Sequence, residues 1–553
     1  MSTQYFSAKV GGLRGPGLTE EQQDSVDQAV ADAGDAKSEA SAVGGRLEPF
    51  ELSIKFDPAL GFSITDDQGR AALVIDLLNR LVVAGGATIT TDMLGGVSAT
   101  DRDGQAAYAW DGISRLLTVA GTVRSSRRLR THIPAQIDFH PVYGQSWPTG
   151  FENIAELLPQ RYNSLMFVGG VRTQSLISSD PDNPARYASL VPLRERQDLG
   201  TPKYPVYLPN GIGQSMCTAL TDYVWDLLAA ENNVGPENVD FAMVSSAPGD
   251  GNMNIDQLSK GAGSDGFNTY NRLIAQAQAV AVRAAEMGKT ATFSAFTYIQ
   301  GVGEADWAAK AAQLRADIEA DTASAFPLRS DPLQMIIWQR YPEPINGLSP
   351  AYCYEQFVQL AKDDPDIHCI GPSYQIEHVP YDGVDPDAHF TAGGTNVLAA
   401  MAALVRKRVI HDQLPWEPLD IVSFQRDGLN LIARLNNVYP LTFEVDESVM
   451  TPVSNFGFRR LSQTGVVRNI TGVELFGTND IVFRSDTNWL ATDRLEAAGI
   501  GASGATDGSA SGPHDGNRCQ LRDTQGDWIA RFDPGFRDLP LHNWIVALDK
   551  TIG

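Results

Sequence analysis

The spacing of hydrophobic positions changes along this chain, and the changes mark out its modules. Thr19 and Gln22 form a capping box, after which Val26, Ala29, Ala33, Ala36, Ala40 and Val43 recur at alternating three and four spacings, a short heptad seam. Its small side chains and the mid-seam Gly34 disfavour a lone helix, so residues 1–46 read as a stalk that self-associates or docks on a partner, or as an acidic linker. From 47 to 130, the strand-like runs LSIKF, AALVIDLL and ATITTDML alternate with glycine-rich turns. They predict a small β-containing module, α+β or all β, with SSRRLR at 125–130 as a connector.

Between 134 and 410 the rhythm becomes strand then helix. Five β-rich runs stand out: QIDFHPVYG, NVDFAMVSSA, ATFSAFTYIQ, LQMIIWQRY and DIHCIGPS. The stretches TALTDYVWDLLAAE, RLIAQAQAVAVRAAEM and YEQFVQLAK have helical period, as do Val397, Met401, Leu404 and Val405. Such alternation predicts a five-stranded, mostly parallel sheet with helices on both faces and ligands at the carboxyl ends of its strands. Beyond 415 helical period is lost. Runs such as LNLIARL, LTFEV and DIVFRS, separated by Gly, Asp and Asn turns, predict an antiparallel β-sandwich over 415–553. The glycine-rich stretch 497–517 is either a flexible or a binding loop.

Composition narrows the partners. Of 553 residues, 67 are Asp or Glu and 43 Lys or Arg, a net charge of −24 that disfavours phosphate backbones and anionic lipid. No run of apolar residues is long enough to span a membrane, and MSTQYFSAKVGGLRGPG lacks the apolar core of a signal peptide, so the expectation is a protein made in the cytoplasm without membrane insertion. Cys217, Cys353, Cys369 and Cys519 have neither metal-ligand nor disulfide-scaffold spacing and read as buried thiols.

Chemistry gathers just after the strands. Gly144-Gln145-Ser146-Trp147 follows the first, where a serine leaving a strand after glycine can present its hydroxyl as a nucleophile. A second copy, Gly213-Gln214-Ser215, precedes a helix with no strand before it and reads as a decoy. After the second strand, Ser245 to Gly251 offers glycine backbone N–H groups to an oxyanion, or is simply a tight loop. The third strand ends in Gln300-Gly301-Val302-Gly303-Glu304-Ala305-Asp306-Trp307, whose amide can donate into a site and whose acids can cap a helix. After the last strand, His389 follows Asp385-Pro386-Asp387, a histidine with acids beside it to serve as base to a serine.

These blocks together resemble the SGNH (GDSL-like) hydrolases, in the branch of sialate O-acetylesterases and acetylxylan esterases. That branch carries a Gly-Gln-Ser block, a glycine block, a Gln-Gly-Glu-x-Asp block and an Asp-x-x-His block followed by an aromatic or leucine and then Ser or Thr. Here Trp147 replaces the usual Asn, Val302 and Gly303 split the third block, and Pro386 stands three before the histidine. The resemblance covers 134–410 and implies a three-layer α/β/α fold and ester hydrolysis through an acyl-enzyme without metal or cofactor. It implies Ser146 as nucleophile and His389 as base, with Asp385 or Asp387 as the triad acid. The oxyanion hole would comprise the Ser146 N–H, a backbone N–H at Gly249 or Gly251, and Gln300. Trp147, Glu304 and Trp307 are expected to contact substrate, the tryptophans by stacking on sugar faces or else by packing in the core. The order of modules resembles a phage or phage-like spike: a homotrimer attached to a virion through its N-terminus, acting at the particle surface on acetylated cell-surface polysaccharide. The terminal sandwich would bind carbohydrate or clamp the oligomer. The alternative is an inactive member of the fold that only holds polysaccharide as a spike or adhesin.

Overall fold

The computed structural model describes residues 136–150, 164–172, 182–193, 215–231, 242–249, 253–262, 268–300, 306–340, 350–378, 389–499, 512–514, 516–528 and 541–553, and the backbone of strands within 53–119. The stalk expected over 1–46, the connector at 125–130 and residues 500–511 of the glycine-rich loop lie outside the described residues. Two compact units divide the chain: Met1–Gly112 with Leu116–Arg124, and Ile113–Arg115 with Ser125–Gly553.

The first unit carries one sheet of eight strands, β1 (Ser53–Asp57) to β8 (Leu117–Val119), each hydrogen-bonded to the next in sequence. Every pairing is antiparallel, as short connections require. Between β4 (Leu81–Ala84) and β5 (Ala87–Thr91), Ala84 pairs with Ala87, and only Gly85 and Gly86 separate them in sequence, the composition of a tight hairpin.

The second unit is α/β with additional β-sheets. Its main sheet contains all five strand runs expected from the sequence: β9 (Gln136–Gly144), β12 (Ala242–Ser246), β14 (Ala295–Ile299), β15 (Gln334–Gln339) and β16 (Ile367–Pro372). They lie parallel in the order β12-β9-β14-β15-β16. The expected count of five was too small. β10 (Leu165–Phe167) runs parallel beside β12, β11 (Leu190–Pro192) closes that edge antiparallel, and β13 (Thr290–Thr292) pairs with β9, making eight strands and a mixed sheet. Each of these three is only three residues long, too short for periodicity to register.

Helices cover both faces. α1 (Met216–Glu231) and α6 (Ala392–Arg406) pack together on one, and α3 (Thr269–Glu286), α4 (Trp307–Thr322) and α5 (Pro350–Asp363), with the short α2 (Ile255–Leu258), line the other, the arrangement right-handed crossovers produce. Ser215 accepts the Cys217 N–H at 3.2 Å and is fully buried at the start of α1, so the serine of the second Gly-Gln-Ser sits at the helix start. Cys217, Cys369 and Cys519 are buried, and burial raises the Cys369 and Cys519 thiols to about 12.

Burial on both faces gives β9 an unusual tenant set. Phe139 and Tyr143 point toward the α2–α3 side, where Phe139 meets Phe293 and the Tyr143 hydroxyl donates to the Leu258 carbonyl at 2.6 Å. On the opposite side Asp138 pairs with Arg406, whose Nε donates to His140 Nδ1 at 2.9 Å and whose terminal nitrogen lies 2.6 Å from His411 Nε2. His411 reaches Arg406 because the helix widens to a π turn over Lys407–His411, which brings residues five apart onto one another.

Beyond 415 the strands alternate buried and exposed positions, as in β18 (Asn430–Leu435) and β23 (Asp480–Ser485), so one face only is covered. With β17 (Ile421–Asp427) and β22 (Ile470–Phe476) they form an antiparallel sheet in the order β17-β18-β23-β22; β21 (Val467–Arg468), β20 (Phe458–Leu461), β24 (Arg494–Ala497) and β26 (Leu548–Thr551) form a second in that order, and β19 (Leu441–Phe443) pairs with β25 (Leu521–Asp523). Phe458 of one four-stranded sheet meets Phe483 of the other edge to face at 4.9 Å. Segments 134–410 and 415–553, distinct in sequence pattern, belong to one compact unit. Gln339 exchanges two hydrogen bonds with the backbone of Ala547 at 2.7 and 2.8 Å, the Tyr374 hydroxyl donates to the Ile545 carbonyl at 2.6 Å, and the Trp416 indole donates to the Cys369 carbonyl at 2.8 Å.

Candidate active site

The order β12-β9-β14 makes the carboxyl end of β9 the point where successive connections leave to opposite sides, the place open parallel sheets leave a crevice. Gly144 ends β9 with φ 148°, and a Cβ there would stand 2.0 Å from the Ile299 carbonyl oxygen of β14. Only glycine lets the chain turn so close to its neighbour. Ser146 follows in helical conformation as the cap of a 3-10 turn, Trp147–Thr149, and its carbonyl accepts the Thr149 hydroxyl at 2.6 Å. Thr149 is fixed in turn by Arg172 Nε, which donates to its carbonyl at 2.6 Å.

His389 arrives from the far edge of the sheet. Thr391 caps α6 by accepting the Gly394 N–H at 3.0 Å, its own N–H donates to the Glu377 carbonyl at 3.1 Å, and Phe390 pairs with His378. Gly512, in the glycine-rich loop of the terminal segment, lies close to His378. So braced, His389 brings Nε2 to 2.7 Å from Ser146 Oγ across 243 residues of sequence.

Gly249 belongs to the same centre: a Cβ on it would lie 2.4 Å from the Gly144 carbonyl oxygen and 2.9 Å from that of Gln145. Gln300, at the end of β14, is fully buried. Its Oε1 accepts the Trp307 indole N–H at 2.5 Å, and its Nε2 has no hydrogen-bond partner among the described residues. Gly251, Glu304, Asp385 and Asp387 lie outside the described residues.

Trp147 and Trp307 are corrected from sugar platforms to packing residues. They are 4% and 2% exposed, and aromatic neighbours cover their rings. Trp147 sits 5.1 Å from Trp338 and 6.2 Å from the His389 ring, and Trp307 packs against Phe357 and Tyr298.

No protein-family model matches this chain, and no curated protein matches it. Among solved structures, a carbohydrate acetylesterase from Xanthomonas citri aligns with a TM-score of 0.44 and 13% identity, covering 91% of this chain and 93% of that one. A protein from Arabidopsis thaliana aligns with a TM-score of 0.29 and 15% identity, covering 49% of this chain and 96% of that one.

Two residues of the site carry no expectation from sequence. Trp338, near the end of β15, donates its indole N–H to the Gln300 carbonyl at 3.1 Å and meets Phe390 edge to face at 5.6 Å, so one buried ring touches the serine, amide and histidine segments. Arg340 places its guanidinium 5.0 Å from the centre of the Trp147 ring, a cation–π contact that sets positive charge beside the dyad of an acidic protein. The available signal was positional: Trp338-Gln339-Arg340 ends the fourth of five parallel strands, where site residues collect. An unbroken apolar run hid it as core.

Proposed function

We propose that this chain is a serine carboxylic-ester hydrolase of SGNH type that removes acyl groups, acetyl above all, from carbohydrate. The observation that carries the reading is the 2.7 Å approach of His389 Nε2 to Ser146 Oγ at the end of the first parallel strand. Ser146 Oγ attacks the ester carbonyl as His389 takes its proton. The carbonyl oxygen gathers negative charge against the Ser146 N–H, a backbone N–H at Gly249 or Gly251, and the Gln300 amide. As the tetrahedral adduct collapses, His389 protonates the departing sugar oxygen. Water, giving its proton to His389, then attacks the acyl-serine; as that adduct collapses His389 passes the proton to Ser146 Oγ, which releases the carboxylic acid and regenerates the serine hydroxyl. Asp385 or Asp387 would hold the imidazole's orientation.

Incubation of the full chain with a fluorophosphonate probe is expected to label Ser146, located by peptide mass, and acetylated polysaccharide is expected to release acetate. Unlabelled protein with no acetate release would favour the polysaccharide-holding alternative. Within this reading, residues 1–46 form the stalk of a trimeric phage-like spike that faces acetylated cell-surface polysaccharide. Native mass spectrometry checks it: the full chain should be a trimer and the chain lacking 1–46 a monomer, and a full-length monomer would defeat the spike assignment.

A further inference from the structure

We infer that Trp307 is the positioning residue that selects which end of the Gln300 amide faces the reacting carbonyl. The inference rests on the esterase reading for its kinetic consequence but on hydrogen-bond chemistry for its origin. An amide side chain presents a donor end and an acceptor end of nearly equal size, and packing alone discriminates weakly between them. An indole N–H only donates. Trp307 Nε1 lies 2.5 Å from one end of the Gln300 amide, so that end must be the oxygen. The NH2 is therefore turned the other way, where, fully buried, it meets no acceptor among the described residues.

A buried amide donor without a partner costs on the order of 1–3 kcal/mol, so its persistence calls for an acceptor that arrives only on reaction. A developing oxyanion fits that need. If the amide rotated by half a turn, Oε1 would face the oxyanion with its lone pairs and repel it. Trp307 is itself immobilised: its ring stacks on Tyr298 at 6.3 Å with planes 16° apart and contacts Phe357 at 4.1 Å. Trp338 adds a second restraint through the Gln300 carbonyl, so both the backbone and the side chain of Gln300 are held by indole donors from different elements.

The test is a double-mutant cycle on aryl acetate hydrolysis. Trp307→Phe, which keeps an aromatic ring and removes the N–H, should lower kcat at least tenfold with KM within about twofold. In the Gln300→Ala background, the same change should do nothing further. Gln300→Glu should be as slow as Gln300→Ala, because a carboxylate accepts from Trp307 but offers no N–H to the oxyanion; this variant leaves the tryptophan packing intact. Losses from Trp307→Phe and Gln300→Ala that multiply, or a Trp307→Phe enzyme of normal kcat, would overturn the inference. A wild-type chain without esterase activity would instead sink the functional reading, and the orientation would still be measurable. The Trp307 indole N–H resonance, assigned by its absence in Trp307→Phe, should shift in Gln300→Leu and persist in Gln300→Glu. Insensitivity to Gln300→Leu refutes the lock whatever the activity.

Discussion

Ser146→Ala is expected to lower aryl acetate hydrolysis by about three orders of magnitude or more, with His389→Ala close behind and the double variant no slower than the worse single one. The two side chains act as one unit: a hydroxyl has negligible nucleophilicity until a base 2.7 Å away takes its proton, and the base has nothing to deprotonate once the hydroxyl is gone. Residual rates about 10³ above water are expected from the remaining oxyanion donors. Ser146 is almost wholly buried and its turn is held by Thr149 and Arg172, so circular dichroism and thermal melting of Ser146→Ala should match the wild type. Steady-state kinetics decides the matter. A Ser146→Ala chain within tenfold of wild type would remove Ser146 from the chemistry.

The second large effect is on stability. Asp138→Asn should destabilise the second unit by about 3–5 kcal/mol, read as a lowered midpoint of urea unfolding, because it strands the buried Arg406 guanidinium without a counter-charge. The neighbouring imidazoles of His140 and His411 cannot supply one, since an imidazole is either neutral or positive. His140 is fully buried, which pushes its pKa down to about 3, and its Nδ1 receives the Arg406 N–H, so it stays neutral. Burial also lowers Arg406 to about 9, the sign that the cation is held at a cost in desolvation. Replacing both partners by apolar side chains, Asp138→Leu with Arg406→Met, should therefore restore much of what Asp138→Asn loses, since the expense lies in the isolated charge. If both variants melt alike, the pair contributes nothing beyond packing.

Much of this architecture is written in local pattern. The main strands alternate with long helices, and each strand is apolar enough to be buried on both faces, so QIDFHPVYG and ATFSAFTYIQ announce themselves. The same buried character concealed what those strands carry. Asp138 and His140 sit inside a core run whose partner, Arg406, lies 268 and 266 residues away from them, and no spacing rule links the three. Ser146 and His389 were legible because each follows a strand end. Trp307 was visible but its role was not: sequence places an aromatic beside a catalytic block without saying whether its face or its N–H is what matters. Trp338 and Arg340 were lost inside a strand that reads as core.

The exchange of hydrogen bonds between Gln339 and Ala547, with the Tyr374 and Trp416 contacts beside it, alters what counts as the smallest working piece of this chain. A fragment ending near residue 414 would uncover the Cys369 carbonyl and the Gln339 side chain on the last strands of a parallel sheet, an open edge inviting another molecule to pair with it. It would also strip Gly512 from the segment that braces His389. The terminal sheets are in this sense the outer wall of the parallel sheet that holds Ser146 and His389, and any transplant of that pair to another scaffold has to carry them along.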